Sequence, residues 1–184
     1  MALHIREFRE ADRATLIALW ETCGLTRPWN DPDADIDRIQ VSRDATILFG
    51  TVDDAVVASV MVGHDGHRGW IYYLAVTLDR QARGHGREMM AEAELWLTAR
   101  GAPKVQLMVR QENEDAADFY SALGYERQDV TVLGKWLTPS TEADGGFEMP
   151  RVHDPSGRQA SGKHAARPRP ASPRSARRPG RDGA

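Results

Sequence analysis

The sequence predicts an α/β domain with a mixed central sheet flanked by helices, and three observations carry that prediction. Extended and helical segments interleave along the chain up to about Leu137 instead of separating into blocks. Residues Trp70 to Val76 are almost all apolar, as a strand covered on both faces requires. A short basic turn then leads into the longest amphipathic segment, Gly84 to about Ala99, with Met90, Ala93 and Leu97 on one stripe and Glu88, Glu92 and Arg100 among its polar positions.

Taken in order, His4 to Phe8 alternates and predicts a short strand. Asp12 can cap a helix carrying Leu16, Leu19, Trp20 and Cys23, which Gly24 stops. Asp31 followed by Pro32 gives an N-cap and a proline at the first helical position, so Ile36 and Ile39 belong to a second helix ending near Ser42. Thr46 to Val52 and Val56 to Val62 flank Asp53 and Asp54 as a hairpin would. A third strand runs from about Gly69 to Leu78. Beyond the long helix, Gly101 makes a stop and Lys104 to Arg110 predicts a further strand. Asn113 caps a helix holding Ala116, Ala117, Tyr120 and Leu123, and Gly124 ends it. Tyr125 to Gln128 and Val130 to Leu137 predict a final pair of strands.

Composition bounds the rest. The chain has 184 residues, enough for one sizeable core. Its single cysteine, Cys23, excludes an intrachain disulfide framework and a cysteine-built zinc site. No apolar run reaches the ~18 to 20 residues of a membrane helix, and Met1 to Arg13 lacks the apolar core of a signal peptide. The expectation is a cytoplasmic protein with no membrane partner. Charge divides the chain: residues 1–137 carry 15 Lys and Arg against 22 Asp and Glu, and residues 138–184 carry 9 against 5. The second segment holds seven of the ten prolines and no tryptophan. Such a composition cannot offset ordering entropy of ~1 to 2 kcal/mol per residue, so residues 1–137 are expected to form the domain and 138–184 a disordered basic tail. Six arginines between Arg167 and Arg181 give the tail a means of meeting a polyanion such as RNA, or of staying solvated. Nucleic acid is otherwise not an expected partner.

The stretch that carries chemistry is Leu74 to Arg87. A buried strand feeds a turn with Gly84 and Gly86 at a helix start, where backbone N–H groups and the helix dipole favour an anion. Arg80, Arg83 and Arg87 add positive charge. The turn lacks the Lys-Ser/Thr ending of a nucleotide loop and the third glycine of a dinucleotide fingerprint, so a pyrophosphate on another cofactor suits it better. The bland alternative is a tight strand-to-helix turn and nothing more.

Gln81-Ala82-Arg83-Gly84-His85-Gly86, preceded by Leu74-Ala75-Val76-Thr77, resembles the acyl-CoA signature of the GNAT N-acetyltransferases. Asn113 with Phe119-Tyr120 and Gly124-Tyr125 is similar to that family's second motif. The resemblance is nearest to the bacterial group labelled YpeA, through Arg27-Pro28-Trp29-Asn30-Asp31-Pro32, Asp65 to Gly69, Tyr72-Tyr73-Leu74, Ala99-Arg100-Gly101, Pro103-Lys104 and Leu133-Gly134-Lys135. It implies a GNAT fold over residues 1–137 and direct transfer of acetyl from acetyl-CoA to an amine, a small molecule or a protein N-terminus. It further implies that Leu74 and Val76 hold the pantetheine and acetyl carbonyl through their backbones. By the same resemblance Gln81, Ala82, Arg83, Gly84, His85, Gly86 and Arg87 would hold the pyrophosphate, and Tyr120 would protonate the departing thiolate.

Other roles divide between function and packing. Tyr120 also suits a core aromatic, and Asn113 either contacts the cofactor or only caps its helix. Trp29 and Asn30 stand where such folds often build the acceptor pocket, although Trp29 equally suits a plug between helices; Tyr73 from the strand and His67 from the loop before it join them as candidate substrate-binding residues. Relatives commonly place a carboxylate base at the positions of Trp70 and Met108, which cannot accept a proton. The base is then another side chain, a water, or unnecessary if the amine arrives neutral; His67, Glu21 and Asp31 are the side-chain candidates. His64, Asp65 and His67 read as a turn, so no metal is expected. A homodimer is left open, as is a domain that binds acyl-CoA without turning it over.

Overall fold

The computed structural model describes residues 3–135 and 137. Five strands form one sheet in the order β1 (His4–Glu7), β2 (Ala45–Val52), β3 (Ala55–His64), β4 (Gly69–Val76) and β5 (Val105–Gln106). The first four pair antiparallel and β5 joins β4 in parallel. Asp53 and Asp54 take φ of 50° and 63°, so the β2–β3 hairpin closes on two left-handed residues of a type that tolerates them.

Helices cover both faces. Strand alternation sends Leu48, Val60, Val62 and Ile71 to one side, where Met89, Met90, Ala93 and Leu97 of α3 (His85–Thr98) meet them. The opposite side collects Ile47, Phe49, Met61 and Ala75 beneath Leu16, Leu19 and Trp20 of α1 (Arg13–Thr22) and Ile36 of α2 (Pro32–Gln40). Trp20 is fully buried, and its indole N–H donates to the buried Ser59 hydroxyl at 3.1 Å, satisfying both polar groups in the core. Asp31 begins α2 as expected, its carboxylate accepting from the N–H groups of Asp33 and Ala34 at 3.0 and 3.3 Å. Asp12 does not cap α1 with its side chain: a turn over Glu10–Asp12 comes first, and the carboxylate instead holds the Arg6 guanidinium at 2.7 and 2.8 Å.

Three expected strands differ. The segment from Lys104 to Arg110 pairs only over Val105–Gln106, because β4 carries an extra residue just beyond: Met61 faces Tyr72 while Ser59 faces Ala75. That bulge turns the strand edge away and ends the parallel ladder. Tyr125 to Gln128 and the described part of Val130 to Leu137 are not strands; Val130 and Val132 alternate with polar neighbours at first but they and Leu133 are all exposed, with no strand to pair with among the described residues. α4 (Glu114–Ala122) forms as expected, with the Asn113 side chain accepting from the Ala116 N–H at 3.1 Å. The expected basic tail lies outside the described residues.

Candidate active site

The site begins where β4 loses its outer neighbour. Pairing to β5 stops at Trp70 opposite Gln106, so Leu74 and Val76 lie beyond the ladder. Thr77 donates its N–H to Val57 on the β3 side at 2.8 Å; by alternation the N–H groups of Leu74 and Val76 turn toward the open edge. The Val76 carbonyl accepts from the Gln81 amide at 3.1 Å and from the Cys23 thiol at 3.3 Å. Gln81 thus folds back onto the strand end and braces the turn.

That turn runs through Leu78–Arg80, a left-handed Ala82 and a left-handed Gly84 at φ 91°, then enters α3. Gly84 is the N-cap and offers no capping side chain, and the first helical bond goes from the Glu88 N–H to the Gly84 carbonyl. The N–H groups of His85, Gly86 and Arg87 therefore have no helical acceptor. An uncapped helix start beside a bare strand edge fits a pyrophosphate carried on an extended arm. The two glycines serve different ends. A Cβ on Gly84 meets nothing within 4 Å, so its φ is what demands glycine; a Cβ on Gly86 lies 3.2 Å from the Phe119 ring, so Gly86 allows α4 to close on α3.

Phe119 brings Tyr120 with it. Tyr120 packs against the α3-side core, edge-on to Phe119 at 5.1 Å and to Tyr125 at 5.7 Å between ring centres. Its hydroxyl has no hydrogen-bond partner among the described residues, and burial pushes its pKa up to about 12. Tyr125 is occupied, donating to Glu94 at 2.7 Å. A protonated phenol left without a partner is a proton donor in reserve.

The other face of β4 holds a second group. The bulge places Tyr73 on the same side as Tyr72, with φ at 50°, a conformation that costs an aromatic residue roughly 1 to 2 kcal/mol. Its ring stacks on Trp20 at 4.2 Å; its hydroxyl donates to Asp35 at 2.8 Å and accepts from the Asn30 amide at 3.2 Å. Burial, then the Asp35 carboxylate, pushes Tyr73 up to about 12. The Arg110 guanidinium lies over the neighbouring Trp29 ring at 5.8 Å, so the loop between α1 and α2 meets the segment after β5. Asn30 and Tyr73 are thus brought together, with Trp29 beside them. Asp35 was missed by sequence reasoning, since it lies 38 residues from its partner in an acidic helix with nothing to single it out.

His67 is not brought there. It sits exposed in the β3–β4 turn, where the Asp65 carboxylate accepts from the N–H groups of His67 and Arg68 at 2.8 and 2.6 Å. That turn precedes β4 at its far end, roughly 15 to 20 Å along the strand from Leu74. Asp31 is committed to capping α2, and Glu21 is exposed on α1. Trp70 donates its indole N–H to Asp65 at 2.8 Å, and Met108 is exposed. Among the described residues no three His, Cys, Asp or Glu side chains gather as metal ligands, and no helix is long and apolar enough to cross a membrane.

A mixed sheet whose edge opens beside a basic turn and an uncapped helix frames the site, and residues 7–125 match the acetyltransferase (GNAT) family. The chain belongs to that family. Acetyltransferase YE1169 of Yersinia enterocolitica is 44% identical over 140 residues, spanning 76% of this chain and 99% of the relative. Acetyltransferase ECA0875 of Pectobacterium atrosepticum is 44% identical over 141 residues with the same coverage. Among solved structures, AAC(6')-Iy in complex with the bisubstrate analog CoA-S-monomethyl-acetylneamine superposes with a TM-score of 0.65 at 15% identity, over 74% of this chain and 99% of that one. At that identity the likeness is one of fold.

Proposed function

We propose that this protein is a cytoplasmic N-acetyltransferase of the YpeA-like group that moves an acetyl group from acetyl-CoA to an amine, on a small molecule or a protein N-terminus, by direct attack. The observation that carries the reading is the coincidence at one place of the open β4 edge and the uncapped start of α3. Bound acetyl-CoA supplies a thioester carbonyl open to attack and a thiolate leaving group. The backbone N–H groups of Leu74 and Val76 orient the arm and meet charge growing on the carbonyl oxygen. His85, Gly86 and Arg87 hold the pyrophosphate through the helix start, with Arg83 adding charge, while Gln81 and Ala82 shape the turn. Tyr120 gives its phenolic proton to the sulfur as the C–S bond breaks, and the proton shed by the attacking nitrogen passes to water, from which the phenol is reprotonated; burial keeps the phenol protonated at neutral pH before the transfer.

Asn113 acts as a helix cap on this reading. Trp29, Asn30 and Tyr73 form a wall of the acceptor pocket, and Asp35 fixes the Tyr73 hydroxyl. Residues 138–184 take no part in the transfer. The test is release of free thiol from acetyl-CoA against a panel of primary amines, aminoglycosides and peptides. Release that depends on an amine supports the assignment. Tight binding of acetyl-CoA with no release against any amine favours a binding module instead.

A further inference from the structure

Val52, Arg80, Arg83 and His85 line a cavity of about 210 Å³ at the start of α3. It lies on the flank of the turn away from α4: Gly86 faces Phe119 and Val76, whereas His85, one residue earlier, lines the cavity with Val52 from the end of β2. The transfer chemistry above uses the His85 N–H and the charge of Arg83, but gives no task to the His85 imidazole, to Arg80 or to the space between them. We propose that it receives the 3′-phosphate of the acyl-CoA, an inference that rests on the acyl-CoA reading and adds to it the group that a second set of side chains recognises.

Three features carry it. The folded part of the chain is acidic, with 15 Lys and Arg against 22 Asp and Glu in residues 1–137, so two arginines and a histidine around one cavity are a local departure from the protein's charge. His85 is 6% exposed, yet its Nδ1 has no hydrogen-bond partner; the nearest acid, Glu88, stands 3.5 Å away, too far for a good bond. A buried imidazole held this way is poorly satisfied until an anion arrives. Arg80 is paired with Asp79 only at 3.4 Å, and Arg83 is exposed, so both guanidinium groups can turn toward a ligand.

The ligand's chemistry matches. A phosphate monoester carries close to two negative charges and three terminal oxygens, which guanidinium forks bind in pairs. The pyrophosphate, by contrast, is served by backbone N–H groups at the helix start. One turn thus offers two kinds of anion site, and CoA presents two kinds of phosphate.

Calorimetry on the full chain compares CoA with 3′-dephospho-CoA. The wild type is expected to bind CoA on the order of tenfold more tightly or better, as charge-assisted bonds to one phosphate imply. In the Arg80→Gln variant, which leaves the pyrophosphate-binding residues intact, that ratio falls toward one while affinity for 3′-dephospho-CoA is kept, which also shows that the variant is folded. Equal affinity for the two nucleotides in the wild type overturns the proposal by itself, needs no variant, and leaves the cavity to an unattached anion. An undiminished ratio in Arg80→Gln overturns it as well. Failure of both nucleotides to bind the wild type is a different result, one that removes the acyl-CoA reading itself.

Discussion

Replacing the two turn glycines separates backbone conformation from packing. Gly84→Ala adds a methyl that touches nothing within 4 Å but forces alanine to hold φ near 91°. The cost is that of a left-handed residue, roughly 1 to 2 kcal/mol, or a fall in Tm of roughly 3 to 8 °C for a domain of this size. Gly86→Ala sits in ordinary helical backbone; its Cβ presses 3.2 and 3.3 Å from two atoms of the Phe119 ring. The helix gains up to about 1 kcal/mol from alanine and loses a similar amount by overpacking, so the net change stays within about 1 kcal/mol. Gly86→Val adds two more carbons against the same ring and a β-branched penalty, so destabilisation of about 2 to 3 kcal/mol follows. Because Phe119 adjoins Tyr120, the valine variant also lowers turnover by about tenfold or more, through misplacement of the acid. Thermal melts and steady-state kinetics read both. A Gly86→Val protein with wild-type Tm and turnover would refute the argument that α4 closes on α3 at this glycine.

Three further outcomes are expected. Tyr73→Phe leaves the Asn30 amide without its acceptor and Asp35 with Arg38 alone; it costs about 1 to 2 kcal/mol in denaturant melts and raises the acceptor KM, with acetyl-CoA affinity unchanged. Asp65, held down to about 2 by the Arg68 N–H, the Trp70 indole and the His67 N–H, contributes stability above its ordinary pKa near 3.8 and loses it as pH falls toward 2. Asp65→Asn should therefore flatten the acid limb of the stability profile between those two values, and an unchanged limb contradicts the assignment. A chain ending at Thr138 should keep its Tm and its activity on a small amine; loss confined to a macromolecular substrate would instead give the arginines from Arg167 to Arg181 a role in acceptor binding.

Local signals made most of the fold legible. Asp31-Pro32, Asn113 and the stripe of Met90, Ala93 and Leu97 each act within a turn or two of the chain, and the elements they specify formed where expected. The strand after the long helix failed because its length is set by β4: an extra residue near Tyr73 ends the pairing, and nothing in Lys104 to Arg110 reports that. Val130 and Val132 show the converse, an alternating pattern with no face to bury. At the site, the turn and Tyr120 were readable as motifs. Gly86 was read as a point of anion approach, and the structure adds a packing demand from Phe119, 33 positions on. The Asp35–Tyr73 contact and the cavity around His85 also join residues distant in sequence, so only the folded chain displays them.

Single-turnover acetyl transfer by wild type and Tyr120→Phe, with acetyl-CoA affinity measured in parallel, tests the central claim most directly. The hydroxyl has no partner among the described residues to lose, so folding and acetyl-CoA binding should survive. The transfer rate should fall by roughly 10² to 10⁴-fold, the usual contribution of a general acid. A variant that transfers acetyl at the wild-type rate under these conditions would contradict the assignment and leave Tyr120 as a packing residue of α4.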